Sequence, residues 1–355
     1  MICNLKIRNQ ILVFLSVIFL FILPGTARSQ DFTWKCGLFS FFDNVEFAKS
    51  EYKKPQTMSG IMIFPEAGLQ WDSVHSISAG INILREFGSK DVIDDMFFTA
   101  YYSYQKAPFR FVMGAFPREY ALKRYPRVFY QDSVGYYRPN INGILWEASL
   151  KRFNANIWLD WTGRQSPEQN ETFLLGISGH YAFNTLYFQF FSYMFHFAAK
   201  MNPVISESLH DNGLMLFSAG IDLKGKTGFD ELDINAGIVT GMERSRGENT
   251  GWINQTGFLS ECNIEKWNAG IFNSLYIGDG QMHFYNKHGN KLYWGDPIYR
   301  AKVYNRLDMY ISLFKNRNIR SRITYSLHFA EGRIYHEQLL GLNVNLGLSQ
   351  KCVNH

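Results

Sequence analysis

The chain has 355 residues, and its 36 Lys and Arg against 31 Asp and Glu give a formal net charge of +5. The first 29 residues hold three of those basic residues and no acidic one, which leaves 33 basic against 31 acidic in the remainder. This near-balance excludes the pronounced basicity of nucleic-acid-binding domains, so we expect no nucleic-acid partner. The few scattered cysteines exclude a disulfide framework or a zinc site, and no motif indicates a cofactor.

Residues 1–29 have the features of a secretory signal peptide. Lys6 and Arg8 precede the apolar run from Ile11 to Leu23, and Ala27 and Ser29 are small residues suited to cleavage. The apolar run is shorter than the roughly 20 residues that span a bilayer as a helix. We therefore predict a signal peptide at 1–29, export from the cytoplasm, and a single mature domain at 30–355.

After the signal peptide, apolar and polar residues alternate with a period of two in one segment after another. Clear examples are 77–83, 232–238, 303–313, 323–329 and 340–348. This period is that of a strand with two different faces. No segment has the period and caps of an amphipathic helix, so the pattern predicts an all-β protein.

The segments number about 16, with a range of 14–18, and the connections between them alternate between tight turns and long loops. Outer-membrane barrels have short periplasmic turns, longer external loops and an even number of strands. A soluble β-sandwich also alternates, but the export signal, the two-ended turn pattern and the absence of a linker favour the membrane. We predict a single transmembrane, antiparallel, up-and-down β-barrel whose last strand pairs with its first.

The most unusual connection is the long loop Pro117–Asn140, which is rich in basic and aromatic residues. Loops beyond about 12 residues in compact domains are usually functional or disordered. We predict that this loop narrows the barrel opening and favours anions or sugars; the alternative is a packed lid whose tyrosines fill the mouth. The candidate constriction residues are Arg118, Tyr120, Lys123, Arg124, Tyr125, Arg127, Tyr130 and Arg138.

The signal peptide, the even set of alternating strands and the long external loops together resemble the porin-like outer-membrane β-barrels of Gram-negative bacteria. The resemblance implies an outer-membrane location, contact with outer-membrane lipid and lipopolysaccharide, passage of small hydrophilic solutes, and a homotrimer. It also implies that the third external loop, here Pro117–Asn140, folds into the lumen. One departure is the C-terminus, which continues past Leu348 into SQKCVNH instead of ending on an aromatic residue.

Charged residues on the polar faces of the strands are candidates for lining a lumen wide enough to hold water. Opposed charges across such a lumen can select solutes, although they can also be solvated wall charges of little selectivity. The candidates are Arg110, Glu147, Asp160, Asp222, Asp233, Arg306, Asp308, Arg320 and Arg322.

The sequence offers weak candidates for catalysis. Ser178 and His180 share a face of one strand, but no third residue that would orient the histidine can be assigned. The loop Gly278–Arg300 contains His283 and His288 without the spacing of a metal site. We therefore expect no enzymatic activity and predict a channel for passive diffusion of small hydrophilic solutes. The alternatives are a closed barrel for surface binding, adhesion or export-complex assembly, and an outer-membrane lipid hydrolase.

Overall fold

The computed structural model describes residues 30–122, 125–201, 209–247 and 251–348, so the predicted signal peptide lies outside the described residues. Sixteen strands make up the wall. They are β1 (Gln30–Glu46), β2 (Gln56–Trp71), β3 (His75–Glu86), β4 (Asp95–Lys106), β5 (Phe109–Pro117), β6 (Asn140–Ser149), β7 (Phe153–Gly163), β8 (Thr172–Phe183), β9 (Leu186–Phe197), β10 (His210–Asp222), β11 (Glu231–Ser245), β12 (Ile253–Lys266), β13 (Ala269–Gly278), β14 (Val303–Lys315), β15 (Ile319–Ala330) and β16 (Arg333–Leu348).

Each strand pairs antiparallel with its sequence neighbours, and β1 pairs with β16 to close the barrel. The closing register runs from Trp34 opposite Leu348 to Glu46 opposite His336. Closure gives every strand two neighbours, so no row of backbone N–H and C=O groups is left exposed to hydrocarbon. The predicted closed, antiparallel barrel of about 16 strands is confirmed.

The two ends of the barrel differ in their connections. Short turns join strands at one end, such as the three-residue turn Asp72–Val74 and the two-residue turn Trp267-Asn268. Asp72, Ser73, Trp267 and Asn268 have positive φ. Such turns match the twist of a hairpin. The long loops lie at the other end, which is the external end by the general rule for these barrels. An exception is the β15–β16 connection, where Glu331-Gly332 makes a two-residue turn at the external end.

Large apolar side chains cover the outward face of the wall, because every second residue of each strand points away from the lumen. Examples with 41–59% of their surface exposed are Phe42, Ile63, Ile77, Phe217 and Leu340. Such an apolar band is what a barrel presents to lipid tails. No helix among the described residues is long and apolar enough to cross a membrane.

Two external loops fold into the barrel instead of away from it. Loop 118–139 carries α1 (Glu119–Leu122) and α2 (Asp132–Tyr137). Loop 279–302 carries α3 (Tyr285–His288) and two 3₁₀ turns, Gly289–Lys291 and Pro297–Arg300. Their most buried residues join inward wall side chains in one apolar cluster, and Val128, Phe129, Leu292, Tyr293 and Ile298 have no exposed surface.

Backbone contacts join the two loops to each other. The Gln131 N–H donates to the Trp294 carbonyl at 2.8 Å, and the Asp296 N–H donates to the Arg127 carbonyl at 2.9 Å. Gly295 is required between these bonds, since a Cβ there would lie 2.0 Å from the Val128 carbonyl oxygen. The external half of the lumen is therefore filled by packed protein.

This packing predicts a low conductance. We expect the folded protein in a planar bilayer to give no steps of the size of an open 16-stranded channel, because rings from both loops occupy its mouth. Replacing residues 119–138 by a short Gly-Ser linker should produce such steps. The matched control replaces residues 88–93 of the exposed β3–β4 loop. Large steps from the unaltered protein would contradict the packed arrangement.

Candidate active site on the outer wall

The basic residues predicted in the constriction loop are held by acidic and aromatic partners. The Arg118 guanidinium is buried 2.7 Å from the Asp160 carboxylate. Arg118 and Arg138 lie over the Trp294 ring, at 4.9 and 4.6 Å from its centroid. Their charges therefore fix the loop to the wall and to loop 279–302.

Of the remaining predicted loop residues, the three tyrosines also pack inside the barrel, and two basic residues lie outside the described part of the chain. The hydroxyl of Tyr125 accepts a hydrogen bond from the Trp158 indole at 3.1 Å, and the Tyr130 ring packs against Trp158. Tyr120 contacts Lys35 at 3.1 Å. Lys123 and Arg124 lie outside the described residues. A role for any of them in selecting solutes stays a prediction.

A buried ion network lies at the external end of the lumen and ties β14 and β16 to the loops. Arg306 lies 2.6 Å from Asp308 and 3.1 Å from Glu337, and the side chains of all three are at most 6% exposed. Lys53 of the β1–β2 loop is 3.1 Å from Asp296 and 3.6 Å from Glu337. Burial favours the neutral form of a lysine, but these carboxylates raise the pKa of Lys53 above its ordinary value.

Arg127 extends this network to loop 118–139. Its guanidinium lies 3.1 Å from Asp132 and 3.8 Å from Asp308. Burial and the nearby Arg306 favour a lower pKa, whereas Asp132, Asp308 and Glu337 favour the charged form and raise the pKa of Arg127. The network thus holds its cations charged within the barrel mouth.

The other predicted lumen residues lie on inward faces towards the short-turn end and are not brought together. The Arg110 guanidinium lies 4.2 Å from the Tyr120 ring centroid, and it stands opposite Glu147 in the strand register. Asp222 stands opposite Asp233, which accepts a hydrogen bond from Tyr187 at 2.8 Å.

Arg320 and Arg322 belong to the same group of scattered charges. Arg322 stacks on Tyr310 at 4.0 Å and lies 3.9 Å from Glu265. Arg320 stands opposite Lys315 and is exposed. Their proposed selection of solutes stays a prediction.

The strongest candidate for chemistry lies on the other face of the wall, at the external end of β15, β16, β1 and β2. Polar side chains there replace the apolar residues that cover the lower part of the same faces. The cluster, which we call the outer-wall cluster, consists of Asn44, Glu46, Thr57, Tyr325, His336 and Gln338.

Asn44 is the centre of the hydrogen bonds in the outer-wall cluster. Its Nδ2 donates to Glu46 Oε1 at 2.8 Å and to Gln338 Oε1 at 2.6 Å. Its Oδ1 accepts from the Thr57 hydroxyl at 2.7 Å. Because the Gln338 oxygen is engaged as an acceptor, its Nε2 amide group is the part that can donate to a bound molecule.

His336 stands two residues from Gln338 on the same face and opposite Glu46 on the neighbouring strand. Its Nδ1 lies 2.7 Å from the Tyr325 hydroxyl. When Nδ1–H donates to that oxygen, Nε2 is the unprotonated nitrogen and can accept a proton. Glu46 is the directly opposed neighbour of His336 on β1, and its carboxylate accepts the hydrogen bond from Asn44.

The outer-wall cluster borders the apolar band of the outer wall on its external side. Phe42 and Leu340, each about two-fifths exposed, follow Asn44 and Gln338 on the same faces towards the bilayer. The short Glu331-Gly332 turn leaves the β15–β16 end without a long covering loop. A lipid could therefore reach His336 laterally, with its chains against the apolar wall.

Sequence reasoning missed this cluster because it looked for chemistry on the lumen face. The alternating pattern of the sequence already contained the evidence for this cluster. Asn44 and Glu46 are an even number of residues from Phe42 and so share its face of the strand, and His336 and Gln338 share the face of Leu340 in the same way. Polar residues in the outward parity of a lipid-facing strand are costly unless they serve the interface.

The serine and histidine considered from the sequence are in a less suitable place. Ser178 faces the lumen, where its hydroxyl donates to Asn156 at 2.9 Å. The His180 ring packs 5.4 Å from the Tyr187 ring. Neither has access to a lipid on the outer wall. Among the described residues, no group of three or more His, Cys, Asp or Glu could hold a metal ion.

Comparison with known proteins identifies the family to which this chain belongs. Residues 25–349 match the family described as lipid A 3'-O-deacylase-type. No curated protein matches the sequence. The family is one of enzymes, so the expectation that the chain has no enzymatic activity is wrong. That expectation rested on Ser178 and His180, which lacked a third residue to orient the histidine, and on loop histidines without the spacing of a metal site.

Solved structures share the architecture at low sequence identity. The OmpT outer-membrane protein of Vibrio cholerae, in its trimer form, has a TM-score of 0.55 and 8% identity over 90% of this chain and 100% of its own. A loop L8 deletion mutant of the same protein has a TM-score of 0.54 and 11% identity, over the same shares. The predicted porin-like barrel architecture is confirmed, whereas a homotrimer of this chain stays a prediction.

The buried ion network predicts a large effect of one substitution. Arg306→Leu should destabilise the barrel by about 3–5 kcal/mol, because it leaves the Asp308 and Glu337 carboxylates buried without their cation. The measurement is unfolding of the refolded protein in urea, followed by the shift of the folded band in unheated gels.

The matched control is Arg322→Leu, since the Arg322 side chain is 50% exposed and its ion pair with Glu265 is long at 3.9 Å. Its effect should stay within about 1 kcal/mol. Equal losses of stability in the two variants would mean that the network at Arg306 contributes no more than a surface pair.

Proposed function

The chain belongs to the lipid A 3'-O-deacylase-type family, and from that premise we propose that it hydrolyses an ester-linked acyl chain of lipid A in the outer leaflet. The observation that carries the proposal is the position of His336, beside Glu46 and Gln338, on the lipid-facing wall at the external end. The position of the cleaved ester, 3', is taken from the family description.

The location of the outer-wall cluster suits this substrate. An ester between a sugar and a fatty acid lies at the boundary of headgroup and acyl chains. Asn44 and Gln338 meet the apolar residues Phe42 and Leu340 at that same boundary. The scissile ester would reach His336 while its chains stay in the bilayer, so the lipid need not leave the membrane.

In the proposed mechanism His336 acts as the general base. Its Nε2 takes a proton from a water molecule, and the oxygen of that water forms a bond to the ester carbonyl carbon. Tyr325 accepts from Nδ1–H and fixes the tautomer. Proton transfer by a positioned histidine contributes about 10²–10⁴-fold to such reactions.

Gln338 is the proposed donor to the developing oxyanion. Its Nε2–H₂ group is oriented because Asn44 donates to its oxygen at 2.6 Å. Donors held in place before the reaction stabilise the charge that forms on the carbonyl oxygen. The tetrahedral intermediate then loses the sugar oxygen, which receives the proton from the His336 imidazolium. The products are a free fatty acid and a sugar hydroxyl.

Substitution of the base is the first test. His336→Ala should lower the rate of fatty-acid release from lipid A by about 10²–10⁴-fold, measured by mass spectrometry of the lipid product from protein reconstituted in vesicles. The structure offers a matched control in His75, whose Nδ1 also lies 2.7 Å from a tyrosine hydroxyl, that of Tyr102, but at the opposite end of the barrel.

His75→Ala should keep the full rate. Equal loss in the two histidine variants would show that loss of a rim histidine disturbs the barrel as a whole, and full activity of His336→Ala would exclude it as the base. Folding of both is checked by the shift of the unheated band in gels.

A second prediction concerns the oxyanion donor. Gln338→Leu should lower kcat by about 10²–10³-fold with a smaller change in KM, because its amide acts on charge that appears only in the transition state. Ser40→Ala on the same outward face of β1 serves as the control. A rise in KM alone would assign Gln338 to ground-state lipid binding.

Passive diffusion is a second candidate function, favoured by one observation. A cavity of about 690 Å³ lies beside loop 118–139, with Lys35, Arg127 and Arg322 among its lining residues. Conductance of the unaltered protein tests it: steps smaller than those of the loop replacement would support diffusion through this cavity, and their absence would exclude it. We also propose that residues 1–29 are removed as a signal peptide, which N-terminal sequencing of the membrane-inserted protein would establish.

A further inference from the structure

A second polar cluster lies on the outer wall, at the external ends of β9, β10 and β11. Asp211 is its centre: its Oδ1 is 2.9 Å from His196 Nδ1, and its Oδ2 accepts from Arg244 at 2.8 Å and from Arg246 at 2.9 Å. His196, Asp211 and Arg244 lie on the outward faces of their strands, and Arg246 follows the last residue of β11. In the closed order these strands lie on the side of the barrel opposite β1 and β16.

The cations of this cluster outnumber its acid. Two guanidinium groups share one carboxylate, and His196 adds a further positive charge when it is protonated. The Arg246 side chain is 46% exposed and that of Arg244 is 29% exposed. The cluster itself therefore carries net positive charge, and the Glu171 carboxylate lies at its edge, 3.3 Å from the Trp161 indole nitrogen.

Aromatic rings frame the cluster at the same level. The Arg244 guanidinium stacks 4.5 Å from the centroid of Trp252, which is 47% exposed. The Phe173 ring packs 5.0 Å from His196, and Phe173 packs in turn on Trp161, which is 48% exposed. Exposed tryptophans on a barrel wall mark the membrane–water interface. Arg244, at the end of β11, thus lies near the level of the aromatic residues, and Arg246 is the first residue of the loop that follows.

We propose that this cluster binds the phosphate group of a phosphorylated glycolipid, a lipopolysaccharide molecule of the outer leaflet, independently of the outer-wall cluster. Arginine forks match phosphate oxygens in geometry and charge, and Asp211 holds both guanidinium groups in place before the lipid arrives. The acyl chains of that lipid would lie on the apolar outward face below, which includes Met194 and Phe217.

The test is native mass spectrometry of the detergent-purified protein, in a His336→Ala background so that the lipid is not consumed. The probe is bisphosphorylated lipid A. We expect two bound lipids on the parent protein. Arg244→Gln with Arg246→Gln should weaken the second binding event about tenfold or more, whereas Arg152→Gln, at a short turn where Arg152 lies 5.2 Å from the Phe183 ring, should not.

Two further measurements test whether the bound group is the phosphate of a lipid. Lipid A freed of its phosphates should show only one bound molecule on the parent protein, and inorganic phosphate at millimolar concentration should leave the second lipid bound. A second lipid retained by the double variant, or by the parent with phosphate-free lipid A, would overturn the proposal. Displacement by inorganic phosphate would reassign the site to soluble phosphate and overturn the lipid assignment.

If the double variant fails to fold, Arg246→Gln alone carries the test, because that side chain is the more exposed of the two. The count of two rests on the proposed function, because one of the two lipids would lie at the outer-wall cluster. If that cluster binds no lipid, the parent protein should bind one bisphosphorylated lipid A in place of two, and the arginine substitutions should weaken that one. Failure of the proposed deacylation is thus distinguishable from failure of the arginine site.

Discussion

The pairing of the first strand with the last is the constraint on which the rest of this structure depends. Backbone N–H and C=O groups in hydrocarbon must find partners in the protein, and the β1–β16 register supplies them along the whole seam. That register also brings Asn44 to within 2.6 Å of Gln338, although 294 residues separate them in sequence. The candidate active site is therefore a product of barrel closure.

Because successive side chains of a strand point to opposite faces, one stretch of strand contributes residues to both the outer wall and the lumen. In β16, His336 and Gln338 point outward, whereas Glu337 between them points inward to Arg306 and Lys53. The buried ion pairs hold the strand from the lumen side, and the loops packed there leave few alternative positions for it. Residues that never contact the lipid thus position the residues that would.

The porin-like architecture and the deacylase family are compatible, because a fold does not determine a function. A barrel wall offers an inward face, an outward face and two rims as places for a site. In this chain the inward face packs against loops 118–139 and 279–302. Polar residues interrupt the apolar outward face near the external rim, and these are the residues proposed to act on a lipid.

The sequence by itself determined the barrel, its approximate strand number and the identity of its long loops, because a period of two and the turn residues are local properties of the chain. It also placed Arg306 and Asp308 on the inward face of their strand, and Arg118 and Arg127 in the loop expected to narrow the opening. Only the tertiary structure decided that their charges neutralise acids within the mouth, and that Asn44, Thr57, His336 and Gln338 meet. Those contacts depend on the register between strands distant in sequence, and no local pattern carries that register.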